Sequence, residues 1–270
     1  MDDRISVSIL EGVADVRLMR ADKMNALDAA MFEALVATSD RLSREKGLRA
    51  VVLSGEGRSF CAGLDMGRFA AMKEGGGNGI AGGEKRDLTA RTHGLANFPQ
   101  QAVWGWRQLP VPVIAAIQGV AFGGGFQLAL GADMRFLAPD ARMSIMEIKW
   151  GLIPDMAGTP ILASLVRDDI LRELTYTGRI FSAQEAMSYG LATRICDDPR
   201  AAAFEVAREI AGKSPDAIRA AKRLLNNLIV DAGPALLAEA VEQTKLMGGA
   251  NQLEAVRANI EKRVPRFADV

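Results

Sequence analysis

The sequence predicts a mainly parallel α/β fold, and two observations support this prediction. Apolar segments of strand length alternate with amphipathic segments of helix length through the first part of the chain, as in a parallel sheet with helical crossovers. From about Pro199 the chain becomes rich in Ala, Leu, Glu and Lys, with helical spacing of the apolar residues. We therefore expect an α/β core over residues 1–198 and a helical region over residues 199–270.

The first elements follow from local patterns. Residues 5–10 and 13–18 alternate apolar and polar positions on either side of a turn at Glu11-Gly12, which predicts a β-hairpin. Asp28 is a suitable N-cap for a helix that ends near Arg44. Three further runs are apolar, have strand length and are bounded by turn residues, which predicts buried strands: residues 48–53, 112–117 and 134–138.

Four amphipathic helices are predicted in the C-terminal part of the chain. They cover residues 199–212, 215–230, 234–247 and 250–263, with Pro or Gly between them. Their apolar faces fit two arrangements equally well, because they can pack on the core of the same chain or on a neighbouring subunit.

A glycine-rich tract at residues 74–83 interrupts the α/β pattern. Such a composition is flexible and does not fit a strand of a sheet. It fits either a mobile lid over a site or an inert loop.

Composition excludes several classes of protein. The 270 residues contain 33 Lys and Arg and 33 Asp and Glu, so the formal net charge is 0 and general nucleic-acid or membrane-surface binding is disfavoured. The two cysteines, Cys61 and Cys196, are too few for a disulfide scaffold and fit a reduced, cytoplasmic environment. With His93 as the only histidine, a His-rich metal site is excluded and we expect no metal.

No membrane anchor is predicted. The chain begins with acidic residues at Asp2 and Asp3, and no apolar signal region follows them. Residues 109–132 carry no charge, but they contain two prolines, two glutamines and several glycines, which favours a buried strand, turn and helix. We expect a soluble protein.

Three segments carry candidate chemistry. Residues 59–66 follow a predicted strand and include small residues at which a ligand can approach the backbone. Residues 118–128 lead from a strand into a helix whose N-terminus holds three consecutive glycines and unpaired N–H groups. Residues 146–155 place two carboxylates, Glu147 and Asp155, in an apolar stretch broken by Gly and Pro.

The glycine-rich turn does not fit a nucleotide site. It lacks the GxGxxG spacing of dinucleotide-binding proteins and the Lys-Ser/Thr of a P-loop. The remaining interpretation is an oxyanion hole, in which N–H groups from two loops point at one carbonyl oxygen. Nearby carboxylates would then move protons on the adjacent carbon.

In their order and spacing these motifs resemble those of the enoyl-CoA hydratase/isomerase (crotonase) superfamily. The resemblance spans nearly the whole chain and rests on Asn25-Ala26-Leu27, Phe60-Cys61-Ala62-Gly63-Leu64-Asp65, Gly119 through Gly125, Glu147 with Gly151-Leu152-Ile153-Pro154, Thr177-Gly178-Arg179, Glu261-Lys262-Arg263 and Pro265-Arg266-Phe267. It implies a spiral core of repeated ββα units, a helical C-terminal trimerisation region and an acyl-CoA substrate. It also implies a homotrimer or a hexamer of two trimers, with no cofactor beyond the coenzyme A of the substrate.

The resemblance implies roles for particular residues. The oxyanion-hole amides fall on Leu64 and Gly124. Seven positions correspond to the CoA-binding segments or phosphate-neutralising cations: Lys23, Asn25, Ala62, Gly63, Asp65, Arg68 and Lys262. For the three basic residues among them, solvated surface charge is the alternative.

The choice of reaction depends on the acid/base residues. Hydratases of the family use two glutamates; Glu147 matches one of them, whereas Gln127 occupies the other position and an amide cannot transfer a proton. Asp155 lies 8 positions after Glu147 (155 − 147), a spacing that resembles dienoyl-CoA isomerases of the family. We therefore predict double-bond isomerisation with Glu147 as base and acid, Asp155 as its partner and Gln127 in a positioning role.

Alternatives remain at this stage. They are hydration of a 2-enoyl-CoA, a non-catalytic acyl-CoA binder and an RNA-binding protein of this fold, the last of which the balanced charge does not support. His93 is expected in a helical segment without a catalytic role, and Cys61 is expected in the core.

Overall fold

The computed structural model describes residues 4–67, 87–227 and 232–267. The predicted glycine-rich tract at residues 74–83 and the predicted CoA-binding residue Arg68 lie outside the described residues.

Strands and helices alternate through the first two thirds of the chain. The strands are β1 Ile5–Leu10, β2 Val13–Leu18, β3 Ala50–Gly55, β4 Val113–Ile117, β5 Val120–Phe122, β6 Met134–Leu137, β7 Arg142–Ser144, β8 Phe181–Ser182 and β9 Arg194–Ile195. The α-helices are α1 Ala29–Ser43, α2 Phe98–Gln108, α3 Gly124–Leu130, α4 Gly158–Leu162, α5 Asp168–Thr177, α6 Ala183–Ser188, α7 Pro199–Ala211, α8 Pro215–Asn226, α9 Ala232–Leu246 and α10 Ala250–Glu261. Two 3₁₀ turns, Ala21–Lys23 and Glu147–Trp150, lie in the loops.

The strands form two sheets. The larger sheet has the order β1-β2-β3-β4-β6-β9 and is parallel except for the β1–β2 hairpin. The smaller sheet has the order β5-β7-β8, in which β5 and β7 are parallel. The predicted hairpin, the mainly parallel sheet and the helix capped by Asp28, whose side chain accepts from the Met31 N–H at 2.8 Å, are confirmed.

The larger sheet is buried on both faces, which explains why its strands read as continuous apolar runs. In β3, Val51 and Leu53 belong to the main core, which α1, α2 and α3 cover. Ala50 and Val52 point to the opposite face and pack against Ala203 and other residues of α7. Both faces therefore exclude water, and the loops at the strand ends are held on a rigid base.

The C-terminal helices pack on the core of the same chain, which is one of the two arrangements that the sequence leaves open. Helix α7 lies on the outer face of the large sheet, α9 contacts α4, and α10 contacts the 3₁₀ turn Glu147–Trp150. The predicted boundaries of α9 and α10 differ from the observed ones by up to two residues.

The expectation of a helix at His93 is wrong. His93 and Ala96 form an antiparallel β-bridge within a turn, and α2 begins only at Phe98. The capping box of Asn97 and Gln100 defines this start, because each side chain accepts from the backbone N–H of the other residue.

Among the described residues, the helices are either too short or too polar to cross a membrane. The described part of the chain also contains no cluster of three or more potential His, Cys, Asp or Glu metal ligands.

A buried ion pair attaches α8 to the core. The Lys222 ammonium donates to the Val111 carbonyl and to the Asp133 carboxylate, each at 2.8 Å, and the Asp133 carboxylate also accepts from the Val113 N–H. Lys222 is only 6% exposed, and this burial lowers its pKa.

We expect Lys222→Met to lower the free energy of unfolding by about 2–3 kcal/mol, because it leaves Asp133 without its cation. Equilibrium unfolding in urea measures the difference. As a control, Lys213→Met removes a lysine that pairs with Glu209 on the surface and should leave the midpoint unchanged. Equal midpoints for the two variants would contradict this account.

Candidate active site

One cavity of about 760 Å³ lies above the ends of the parallel strands. Its walls come from the loops after β2 and β3, the start of α3, the segment from Met146 to Met156 and one residue of α9, Gln243. The walls are largely apolar and include Leu27, Phe32, Phe122 and Trp150 alongside a small number of polar groups. The three segments that the sequence analysis selects therefore meet in one cavity.

The loop after β3 presents the Leu64 N–H to the cavity. Leu27 bridges this loop, because its N–H donates to the Gly63 carbonyl and its carbonyl accepts from the Asp65 N–H. The Leu64 N–H, which lies between these two bonds, has no acceptor among the described residues. Gly63 has φ +87°, and a Cβ there would lie 2.5 Å from the Phe122 carbonyl oxygen, so only glycine fits this close approach.

The start of α3 presents a second N–H. Gly123 donates its N–H to the Ser144 carbonyl at 3.0 Å, and the following Gly124 N–H has no acceptor among the described residues. A Cβ on Gly63 would lie 3.7 Å from the Gly124 nitrogen, which shows how closely the two loops approach. The two predicted oxyanion-hole donors, Leu64 and Gly124, are thus brought together at the wall of the cavity.

Glu147 lies close to Gly123, the residue that precedes the second of these donors. A Cβ placed on Gly123 would be 3.5 Å from Oε1 and 4.0 Å from Oε2 of the Glu147 carboxylate. Oε1 accepts a hydrogen bond from the Gln127 amide at 2.6 Å, whereas Oε2 is buried without a partner in the described part of the protein. One oxygen of Glu147 is therefore held by Gln127, and the other makes no hydrogen bond within the described residues.

The orientation of Gln127 is determined by its own partners. Its Oε1 accepts from the N–H groups of Met156 at 2.9 Å and Gly158 at 3.1 Å, so the amide nitrogen must face Glu147. Gln127 is 1% exposed and its amide is held at both ends. The positioning role of Gln127 remains a prediction.

The environment of Glu147 raises its pKa to about 7, mainly because the carboxylate is buried. Its own backbone N–H and then the Gln127 amide partly offset this effect, since both favour the ionised form of the carboxyl group. A carboxyl group with a pKa near neutrality is suited to both taking and returning a proton.

Among the carboxyl groups that line the cavity, Asp155 is the other buried one, with 5% exposure. Burial, followed by the negative charges of Glu239 and Glu147, raises its pKa well above the usual range. Both buried carboxyl groups of the cavity therefore have a raised pKa, because burial disfavours the ionised form of each.

The residues predicted to bind CoA divide into two groups. Lys23, Ala62, Gly63 and Asp65 line the cavity, and the Asp65 carboxylate pairs with Arg20 at 2.5 Å. Lys262 lies in the left-handed conformation at the end of α10 and does not line the cavity within this chain.

Asn25 also differs from its predicted role. Its side chain is fully buried and does not line the cavity. The amide donates to the carbonyls of Glu56 and Ser59, and its oxygen accepts from the Arg20 N–H. The side chain therefore shapes the loop that carries Lys23, because all of these polar contacts are internal.

Cys61 is a core residue, as predicted. Its thiol is buried, donates to the Asn25 carbonyl at 3.1 Å and has a pKa raised to about 12 by burial. A thiol in this state is not a nucleophile.

Three polar residues near the cavity were not predicted from the sequence: Arg20, Glu239 and Gln243. Arg20 contacts Asp65 at the cavity mouth, while Glu239 and Gln243 reach the cavity region from α9. A signal existed for the last two, because both polar residues occupy the buried face of α9 together with Leu236 and Ala240.

The buried carboxylate at Glu147 gives a testable consequence for stability. Its pKa of about 7 in the folded protein lies above the usual 4.5, so the stability contributed by the protonated group is complete below about pH 4.5 and is lost as the pH rises through 7. We expect Glu147→Gln to raise the free energy of unfolding by about 1–3 kcal/mol near pH 8 and to change it little near pH 4.

Denaturant unfolding at both pH values measures this difference. The control is Glu242→Gln on the exposed side of α9, which should show no such dependence on pH. A gain for Glu147→Gln that is the same at both pH values would be inconsistent with a raised pKa.

Comparison with known proteins agrees with this fold. Residues 8–270 match the family model described as enoyl-CoA hydratase/isomerase. A probable enoyl-CoA hydratase of Bacillus subtilis is 32% identical over 97% of this chain and 98% of its own length. The mitochondrial methylglutaconyl-CoA hydratase of Mus musculus is 30% identical over 98% of this chain and 84% of its own length.

A solved structure supports the same assignment. The enoyl-CoA hydratase/isomerase of Mycobacterium paratuberculosis superposes with a TM-score of 0.82 at 26% identity, covering 95% of this chain and 98% of that one. The family model, the relatives and the shared crotonase fold agree along nearly the full length. The chain therefore belongs to the enoyl-CoA hydratase/isomerase family.

Proposed function

We propose that this acyl-CoA enzyme moves a carbon–carbon double bond in an enoyl- or dienoyl-CoA, with Glu147 and Asp155 exchanging protons with the acyl chain. The observation that carries the proposal is the unpartnered Oε2 of Glu147 in the same cavity as a second buried carboxyl group, Asp155, whose pKa is raised by burial. Gln127 stands at the position where the family's hydratases carry a second glutamate. Its amide already donates to Glu147 and accepts from the N–H groups of Met156 and Gly158.

The oxyanion hole makes the α-proton removable. The thioester oxygen accepts from the N–H groups of Leu64 and Gly124, which have no acceptor among the described residues. These donors bind more strongly as negative charge grows on the oxygen, and each contributes about 3–4 kcal/mol to the enolate-like transition state.

Glu147 and Asp155 then transfer protons to and from the acyl chain. For a 3-enoyl-CoA, ionised Glu147 takes the α-proton, and the C–H electrons form the dienolate. Asp155 donates its proton to the γ-carbon, the α,β double bond forms and the thioester carbonyl returns. Glu147 is then protonated and Asp155 ionised, and a proton passes between them to restore the starting state.

Hydration of a 2-enoyl-CoA is the second candidate, and the names of the two relatives above favour it. In that reaction a water molecule, activated by Glu147, adds to the β-carbon and the α-carbon takes a proton from Asp155. Isomerisation is preferred because Gln127 cannot supply the second glutamate that the family's hydratases use.

CoA would bind at the cavity mouth against Ala62 and Gly63, with Lys23 near its phosphates. We further propose a cytoplasmic homotrimer or a hexamer of two trimers, a reaction without metal or cofactor, and no nucleic-acid or membrane partner. Exposed leucines on α8, Leu224 at 71% and Leu225 at 63%, support assembly because a subunit contact would remove them from water.

The reaction is tested by incubating 2-enoyl-, 3-enoyl- and 3,5-dienoyl-CoAs with the enzyme in D₂O and analysing the products by mass spectrometry. We expect the wild type to shift the double bond with deuterium uptake. Glu147→Gln should abolish uptake and product, and Asp155→Asn should retain uptake at the α-carbon but lower the rate of the shift by about 10²-fold.

Glu242→Gln is the matched control, because it makes the same carboxyl-to-amide change on the exposed side of α9 and should leave turnover unchanged. Gain of water on the 2-enoyl substrate, without a double-bond shift on the others, would replace isomerisation by hydration. Full activity in Glu147→Gln would overturn both candidates.

The CoA contact gives a separate prediction. Lys23→Gln should raise KM by about 3–10-fold with little change in kcat, because the ammonium interacts with phosphates far from the reacting carbons. The difference should shrink at high salt. Steady-state kinetics at two ionic strengths measure it, and Lys46→Gln, at an exposed lysine that does not line the cavity, is the control.

A further inference from the structure

Helix α9 carries two polar side chains that are buried against the active-site segment. Glu239 is 3% exposed and Gln243 is 1% exposed, and they lie four positions apart, hence one turn apart on the same face of the helix. Buried polar groups are retained at a cost unless their hydrogen bonds are satisfied. Their partners therefore show what the pair does.

Gln243 holds the segment on the N-terminal side of Asp155. Its Oε1 accepts from the Ile153 N–H at 3.2 Å, and this contact turns the amide nitrogen toward the cavity. Gln243 also lines the cavity with Asp155, and its side-chain amide lowers the pKa of the Asp155 carboxyl group.

Glu239 holds the segment on the C-terminal side of Asp155. Its carboxylate accepts from the N–H groups of Ala157 and Thr159, each at 2.9 Å, and from the Thr159 hydroxyl at 2.6 Å. The Gln100 amide donates a fourth hydrogen bond at 3.0 Å. Burial raises the pKa of Glu239, and these four donors to its oxygens counteract that effect because they favour the ionised form.

Asp155 is therefore bracketed by α9. Gln243 binds the backbone two residues before it, and Glu239 binds the backbone two and four residues after it. The backbone between 153 and 159 cannot shift without breaking these bonds. Helix packing thus determines where the Asp155 carboxyl group lies.

We propose that Glu239 and Gln243 are positioning residues through which α9 holds Asp155 at the reacting carbons, so that the C-terminal helical region completes the active site of its own chain. This inference rests on the proposed function, because it assigns the pair to the proton donor of that reaction. Gln127 plays the corresponding part for Glu147.

The two residues act on Asp155 in opposite electrostatic directions. The charged groups that face Asp155 are the carboxylates of Glu147 and Glu239, and both raise its pKa. The hydrogen bond from Gln243 lowers it, since the donor favours the ionised form. Removing the charge of Glu239 should therefore lower the pKa of Asp155, and removing the Gln243 amide should raise it.

Two variants test the inference. Glu239→Gln should move the alkaline limb of the double-bond shift, where Asp155 loses its proton, to lower pH by about 1 unit, and Gln243→Met should move it to higher pH by about 1 unit. Each should lower kcat about tenfold while leaving KM within about twofold. A ¹³C NMR titration of the labelled Asp155 carboxyl group measures the same shifts without substrate.

Gln252→Met is the matched control. Gln252 is a buried glutamine of α10 that accepts from the Gly248 N–H and donates to the Trp150 carbonyl, but it does not contact Asp155. The Gln252→Met variant should leave the pH midpoint of the alkaline limb unchanged. If all three variants retain the wild-type midpoint, the pair has only a structural role and the inference is overturned.

The inference and the proposed function fail separately. A wild-type enzyme that shifts no double bond, while the Asp155 midpoints move as stated, overturns the reaction alone. A wild-type enzyme that shifts the double bond, while the midpoints stay fixed, overturns the inference alone. Should Gln243→Met not fold, the downward shift in Glu239→Gln decides the matter.

Discussion

The active site depends on the buried carboxylate of Glu147, in which one oxygen accepts a hydrogen bond and the other has no hydrogen-bond partner among the described residues. Water would stabilise the ionised Glu147 better than the apolar cavity does, which is why its pKa rises to about 7. The Gln127 amide supplies one hydrogen bond and leaves Oε2 without a partner among the described residues. The protein thus keeps a reactive group at a cost in stability, in a place where the substrate can use it.

The residues that position the Glu147 carboxylate are themselves held by hydrogen bonds to other parts of the chain. Gln127 is oriented by the N–H groups of Met156 and Gly158, and α9 holds the same segment through Glu239. The oxyanion-hole loops rest on strands of two adjoining sheets, whose close contact requires glycine at position 63. Rigidity at the reacting centre therefore comes from a chain of backbone contacts that ends in the packed helices.

The sequence predicted most elements of this architecture and the pairs of residues that meet in the cavity. The β1–β2 hairpin, the Asp28 cap and the approach of Leu64 to Gly124 follow from local patterns and from motif order. Asn25 and the turn at His93 were interpreted differently from what the structure contains. Both depend on contacts with distant backbone, which periodicity along the chain does not encode.

The sequence by itself determined the α/β class, the helical C-terminal region and the family, because hydrophobic period, helix caps and glycine positions are local properties that survive in any folded context. Only the tertiary structure decided which oxygen of Glu147 is free, that Asp155 is buried between like charges, and that Glu239 and Gln243 reach it from α9. The physical reason is that desolvation and hydrogen-bond partnership depend on which distant groups surround a side chain, and packing alone brings those groups together.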